Sequence, residues 1–442
     1  MKIIFLSGGS GKRLWPLSND TRSKQFLKLL TAPDGTKESM VQRNVRQLKE
    51  SGIDADIIFA TSKNQVDAIR SQFGDSVEIV VEPSRRDTFP AIALASAYLA
   101  QQKNTDPDEV VVVMPCDQYT EISYFAVVGE MAKSLVEKGA ELVLMGITPG
   151  EPSSQYGYIL PEHSNSFHVR KFIEKPDTQR AKALIAESAL WNGGVFAFRL
   201  GWIQKIVDRY IKASDFESFL KQFESLPKRS FDYEVVENAH DIGVCPFSGT
   251  WRDLGTWDAL TAQLPELILG NGIATKSNNT TIVNELNIPI VCHGVDNMIV
   301  AASYDGILVS HKNDSGEIKA VVSGLDNRPM YEERRWGTYK VVDTVEFPDG
   351  HKALTKQLTL NPGKSISYQR HMHRAEVWTF IDGTGEIVLD GVRKQVSRGD
   401  VIHIAPTQMH ALRATTPLTF IEVQSGSLLI EEDIERFPYD WD

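Results

Sequence analysis

From Met1 to about Leu260 the chain alternates short apolar runs with amphipathic stretches. The runs KIIFL, ADIIFA, VEIVVE, EVVVVMP and ELVLMGI are rich in Val and Ile and apolar on both faces. Such runs suit central strands of a parallel sheet covered by helices on both sides. Between them, SMVQRNVRQLKESG and FPAIALASAYLAQQ read as helices, the first closed by Gly52. The alternation predicts an α/β domain with right-handed crossovers, in which ligands sit at the carboxyl ends of the strands.

The texture changes at about residue 270. TTIVNE, IPIVCHG, NMIVAAS and DGILVSHKN are short strands punctuated by Asn, Gly and Asp, with no clear helix between them. A polar, turn-rich stretch follows at about 323–335. From Trp336 to Gln424, seven short strands with Gly-rich turns (GTYKVVD, KALTKQLTL, SISYQRH, VWTFIDG, GEIVLDG, DVIHIAP, LTFIEVQ) predict an antiparallel sandwich or barrel. The expected division is an α/β domain over 1–265, a short β connecting element over 266–325 and a β-barrel domain over 326–442.

A chain of 442 residues is too long for one ordinary domain, in keeping with that division. No apolar stretch approaches the roughly 20 residues needed to cross a bilayer, and MKIIFLSGG is too short for a signal-peptide core. Membrane partners and a secretory route are therefore not expected. Cys116, Cys245 and Cys292 form neither a C-x-x-C pair nor a disulfide framework, which fits a reducing cytoplasm. The net charge of -11 weighs against nucleic acid as a partner and leaves room for a local basic pocket for a small anion.

One such pocket is suggested where the first apolar run enters FLSGGSGKRLWPLS. It is not a Walker A loop, since Arg13 follows Gly11-Lys12 and Leu6 stands where the first glycine belongs. It is not a dinucleotide fingerprint either, since Leu14 takes the place of the third glycine. Glycines after a first strand still let backbone N–H groups approach an anion, and Lys12 and Arg13 add charge, Arg13 as a fork. The plainer alternative is a surface turn with solvated basic residues. Asp117, two residues past a buried strand, lies where the topological rule places ligands.

Taken with NDTRSKQFLKLL, EPSRRDTFPAIALA, MPCDQY, QYGYI, FIEKPD, WNGGVFAF and WRDLGTWDAL, in that order and spacing, the loop resembles those of sugar-phosphate nucleotidyltransferases. More closely it resembles the bacterial mannose-1-phosphate guanylyltransferases. The C-terminal part resembles the cupin domain of the bifunctional enzymes that are also mannose-6-phosphate isomerases, so the likeness covers essentially the whole chain. It implies a Rossmann-like nucleotidyltransferase domain with a mainly parallel sheet, a short β linker and a C-terminal cupin β-barrel. It implies GTP and mannose 1-phosphate as substrates, GDP-mannose and pyrophosphate as products, mannose 6-phosphate for the cupin, and room for a homo-oligomer.

By the same resemblance, Gly8, Gly9, Gly11, Lys12 and Arg13 hold the triphosphate, and Lys24, Glu82 and Arg86 belong to the nucleotide side. Asp117 and Asp253 bind Mg2+. On the sugar side, Glu174 and Asn192 bind hydroxyls, Lys175 holds the phosphate and Gly157 lets the backbone approach the ring; Arg13, Lys24, Asp117, Lys175 and Asp253 carry the transfer. Two other readings stay open: transfer to another sugar 1-phosphate with a non-catalytic cupin, and a sugar-phosphate sensor.

The segment PGKSISYQRHMHRAEVWTFIDGTGEI sets Gln369, His371 and His373 at i, i+2 and i+4, on one face of a strand. Gly363, Glu376 and Gly383 complete the spacing of the first cupin motif, with Gln369 in place of its first histidine, and His410 matches the second motif. Gln369, His371, Glu376 and His410 make a plausible site for Zn2+ or another divalent metal. Arg374 matches an arginine that the family uses for isomerisation. Val377 replaces a family histidine, which implies either a lost proton shuttle or an altered surround of the ligands.

Overall fold

The structure, a computed structural model, describes the chain apart from residues 9, 10, 326, 327, 431 and 442. It divides into two compact units. The first comprises residues 1–14, 23–66 and 76–265, and the second 15–22, 67–75 and 266–442.

In the first unit the five apolar runs form β1 (Lys2–Leu6), β2 (Asp56–Ser62), β3 (Glu78–Glu82), β4 (Val110–Pro115) and β5 (Leu142–Ile147). They are joined by β6 (Tyr158–Pro161), β7 (Val169–Ile173), β8 (Leu190–Arg199) and β9 (Ile242–Phe247) in one sheet, ordered β7-β6-β8-β4-β1-β2-β3, with β5 against β8 and β9 against β5. β1 lies parallel to both β2 and β4, with Ile4 opposite Ile58 and Val113. All six residues of β5 are buried, as a strand covered on both faces requires.

The departure is β8. The segment LWNGGVFAFR runs antiparallel between β4 and β5, and its register shifts between Asn192 and Phe196, across the two glycines. The sheet is therefore mixed, though mainly parallel. Helix α1 (Met40–Glu50) starts on a reciprocal Ser39–Gln42 capping box, and Gly52 beyond its end has φ +79°. Helix α2 (Thr88–Ala97) is buried from Phe89 through Ala97, which explains why its sequence shows no polar face.

The second unit holds the predicted β element and barrel. Parallel ladders join Gly272–Thr275 to Ile290–His293, and Thr281–Asn284 to Met298–Ser303, around Ile282, Cys292 and Val300. The barrel is built from a six-stranded and a five-stranded sheet, in which neighbouring strands run antiparallel. Its core includes Trp378, Phe380, Phe420, Ile387 and Leu412. Among the described residues no helix is long and apolar enough to cross a membrane.

Candidate functional site

The first group of candidate residues lies at the carboxyl ends of β1 and β4. Gly9 lies outside the described residues; Gly11 is buried, and Lys12–Leu14 forms a short helical turn with Arg13 exposed. Asp117 follows β4, and the next three residues, Gln118–Thr120, pair antiparallel with Trp251–Asp253, setting Asp253 opposite Gln118. This ribbon brings the two distant carboxylates together. Lys24, at the start of the turn Lys24–Phe26, places Nζ 2.9 Å from Asp117 Oδ2 and 2.7 Å from Asp253 Oδ1. Burial alone would lower the Lys24 pKa, but the two carboxylates outweigh it and hold the ammonium well above its ordinary value. A Cβ on Gly255 would fall 3.0 Å from an Asp253 carboxylate oxygen and 3.2 Å from Arg13 Nη1, so Arg13 lies beside the same cluster.

Glu82, the last residue of β3, is buried, and burial pushes its carboxyl up to about 7. A Cβ on Gly8 would come within 3.8 Å of its Oε1. Arg86 is engaged elsewhere: it pairs with Glu224 and donates to the Leu226 carbonyl at 2.9 Å.

The sugar-side residues form a second cluster. Glu174 follows β7 with a side chain only 4% exposed; Oε1 receives Lys175 Nζ at 2.9 Å, while Oε2 is buried with no hydrogen-bond partner among the described residues. A Cβ on Gly157 would lie 2.5 Å from that Oε2, so glycine is what leaves the space open. The register shift in β8 aims Asn192 at this cluster. Its N–H donates to the Gly157 carbonyl at 2.8 Å, its Oδ1 accepts from the Gly194 N–H at 3.1 Å, and its Nδ2 donates to Asp232 Oδ1 at 2.6 Å.

Asp232 sits in the turn Phe231–Glu234. Sequence reasoning missed it, and no motif or periodicity marks it. Burial, then the charge of Glu174, raises it to about 7. Tyr156 links this cluster to the carboxylate pair. Its ring centroid is 4.9 Å from Trp191, which precedes Asn192, and 5.2 Å from Trp251, on the ribbon that ends in Asp253.

In the barrel, His371, Glu376 and His410 converge, with one ligand atom from each lying within 4.8 Å of the others. His371 Nε2 is 3.3 Å and His410 Nε2 3.8 Å from the Glu376 carboxylate, and the Gln369 amide lies 3.4 Å from His371 Nε2. Each imidazole is oriented from behind. His371 Nδ1 lies 2.6 Å from the Asp433 carbonyl, and His410 Nδ1 lies 3.0 Å from that of Gln408. An Nδ1–H donated to those carbonyls leaves both Nε2 lone pairs facing inward, the usual support of a metal ligand. Burial, then Arg374, holds His371 down at about 4, and burial lowers His410 too, so both are neutral. His410 Nε2 is buried with no hydrogen-bond partner among the described residues. A divalent cation fits this donor set.

One expectation changes here, and two further residues of the barrel can be placed. His373 does not share the face of Gln369, because the strand ends at Arg370 and His373 is exposed. Val377 points away from the metal-ligand set: along Arg374–Asp382 the residues alternate, Glu376 and Trp378 are buried, and Val377 lies opposite His403 and Val423. Arg374 is turned inward, with Nε 2.9 Å from Glu376 Oε1 and Nη1 donating to the Ile430 carbonyl at 3.0 Å. The barrel also buries Glu422 and Gln424, unmarked in sequence; Gln424 Nε2 donates to Glu422 at 2.7 Å and faces Glu376 at 3.4 Å.

Residues 2–268 match the nucleotidyl transferase family model, and residues 327–439 match that of the mannose-6-phosphate isomerase C-terminal domain. The chain is 34% identical to the xanthan biosynthesis protein XanB of Xanthomonas campestris pv. campestris (strain B100), over 98% of this chain and 97% of the relative. It is 31% identical to the alginate biosynthesis protein AlgA of Pseudomonas aeruginosa, over 98% and 95%. It is 30% identical to the mannose-1-phosphate guanylyltransferase of Escherichia coli (strain K12), over 98% and 97%. Among solved structures, mannose-1-phosphate geranyltransferase from Thermus thermophilus superposes with a TM-score of 0.61 at 27% identity, covering 74% of this chain and 99% of that one.

Proposed function

The chain belongs to the nucleotidyl transferase family and carries the C-terminal domain of mannose-6-phosphate isomerases, and on that premise we propose that it makes GDP-mannose and pyrophosphate from GTP and α-D-mannose 1-phosphate. The observation that carries the proposal is the shared contact of Asp117 and Asp253 with Lys24, at the carboxyl end of β4 and beside Arg13.

A phosphate oxygen of the sugar phosphate attacks the α-phosphorus of GTP, the bond to the β-phosphate oxygen breaks, and pyrophosphate leaves. Such a transfer asks for positioning and charge neutralisation more than for covalent help from the protein. The glycine loop and Arg13 would hold the triphosphate. Lys24, charged between its two carboxylates, would supply a positive charge to the phosphates. Asp117 and Asp253 would hold Mg2+, which neutralises phosphate charge when bound. Lys175 would anchor the sugar phosphate, and Glu174 Oε2, a buried acceptor without a partner among the described residues, would take a sugar hydroxyl.

The cupin supports a second activity, interconversion of mannose 6-phosphate and fructose 6-phosphate. Gln369, His371, Glu376 and His410 would hold Zn2+ or another divalent metal, which polarises the sugar carbonyl when bound. Arg374 offsets the charge of Glu376 within that set. The outward position of Val377 favours this activity, since the replaced histidine would not face the ligands.

The test is pyrophosphate release from a panel of nucleoside triphosphates and sugar 1-phosphates with Mg2+. Turnover confined to GTP and mannose 1-phosphate is the expected result. Turnover with another sugar would replace the assignment, and binding without any turnover would make the chain a sensor.

A further inference from the structure

We propose that Asp232 accepts a hydroxyl of the sugar ring directly, as a second acceptor beside Glu174, and so sets which sugar 1-phosphate the transferase takes. The inference rests on the transferase reading above and deepens it.

The resemblance gives the hydroxyl-binding role to Asn192, but the amide of Asn192 is bracketed at both ends. Nδ2 donates to Asp232 Oδ1 at 2.6 Å, Oδ1 accepts from the Gly194 N–H at 3.1 Å, and the backbone N–H of Asn192 is tied to the Gly157 carbonyl. Asn192 thus acts as a brace, and what it braces is the carboxyl group of Asp232. A carboxylate offers about four lone-pair positions on its two oxygens. Asn192 takes one of them, on Oδ1, and the backbone N–H of Asp232 itself takes another, which leaves room for a ligand.

Glu174 is reached through the same brace: the Asn192 N–H is held by the Gly157 carbonyl at 2.8 Å, and beside the gap that Gly157 leaves open lies Glu174 Oε2, buried and unpartnered among the described residues. The two acids are close enough for the charge of Glu174 to bear on Asp232, and the ammonium of Lys175 bears on Asp232 as well. Two acceptors around one cradle suit a ligand that arrives with neighbouring O–H donors. They repel an anion, which belongs instead with Lys175. That is the polarity of a sugar 1-phosphate: hydroxyls toward the acids, phosphate toward the lysine. A site that accepts a hydroxyl on a buried carboxylate rejects analogues lacking it far more strongly than an apolar pocket could.

The test compares wild-type protein with Asp232→Asn, which keeps an oxygen for Asn192 and turns the other acceptor into a donor. Pyrophosphate release is measured with GTP, Mg2+ and mannose 1-phosphate, then with monodeoxy mannose 1-phosphates and glucose 1-phosphate. KM for mannose 1-phosphate should rise roughly ten- to a hundredfold, as for loss of a hydrogen bond to a charged group, with KM for GTP unchanged. The wild-type penalty for removing one particular hydroxyl should largely vanish in the variant.

An unchanged sugar KM with the deoxy preferences intact would overturn the proposal and leave Asp232 as a brace for Asn192. So would an equal rise in both KM values. If Asp232→Asn does not fold, Asp232→Ser carries the same comparison. Wild-type turnover tests the transferase reading separately: if another sugar 1-phosphate is the substrate, the comparison runs with that sugar.

Discussion

Asp117 and Asp253 meet at one ammonium, Lys24 Nζ, 2.9 Å from the first and 2.7 Å from the second. The meeting depends on the ribbon register that sets Asp253 opposite Gln118. The cluster carries one positive and two negative charges, an excess that a divalent cation and the phosphates it accompanies can use.

Asp117→Asn and Asp253→Asn should each lower pyrophosphate release on the order of a hundredfold or more, since several kcal/mol of charge stabilisation at about 1.4 kcal/mol per tenfold are removed. Lys24→Ala should cost roughly ten- to a hundredfold, through lost charge-assisted contacts to phosphate. Steady-state assays check the rates, and circular dichroism checks that the fold survives. Near wild-type rates in both Asp variants would remove this pair from the mechanism.

Gly157→Ala should act on the sugar alone. The added Cβ falls 2.5 Å from Glu174 Oε2 and 2.9 Å from the Phe172 ring, so it must push one of them aside. KM for mannose 1-phosphate should rise while KM for GTP stays unchanged. An equal change in both would mean that the cradle lies outside the sugar site.

The cupin should carry a divalent metal, read by elemental analysis of the purified protein. Combining His371→Ala with His410→Ala should remove it, because Gln369 and Glu376 alone are a weak pair for zinc. Isomerase activity should go with the metal, and pyrophosphate release should persist. Val377→His should change neither metal content nor isomerisation, since residue 377 faces away from the ligands. A gain of isomerase in that variant would show that the outer face matters after all.

Glu82 should make stability fall as pH rises. The unfolded carboxyl releases its proton near its ordinary value of 4.5, whereas burial keeps the folded one protonated up to about 7. Between those values the native state binds more protons, so stability declines across the window, by about 3 kcal/mol at roughly 1.4 kcal/mol per pH unit. Urea unfolding at pH 5 and pH 8 should show a smaller decline for Glu82→Gln than for wild type. Equal slopes would mean that Glu82 is ionised in the folded protein at pH 5.

Much of this protein is local, and what is local is written along the chain. Five Val- and Ile-rich runs became β1 to β5, because a run apolar on both sides is soluble only when covered on both faces. Asp117 could be placed at a strand end, and the spacing of His371, Glu376 and His410 was visible in the residues themselves, although His373 was wrongly set on their face. The rest came from pairing between distant segments, which no periodicity encodes. The insertion of β8, the register that seats Asp253 near Asp117, the approach of Asp232 to Asn192 and the carbonyls of Gln408 and Asp433 behind the two imidazoles all join residues far apart in sequence or across a turn. Even Val377 could not be read from its letter alone. Alternation shows that neighbours point to opposite faces, but only the barrel decides which face is inside.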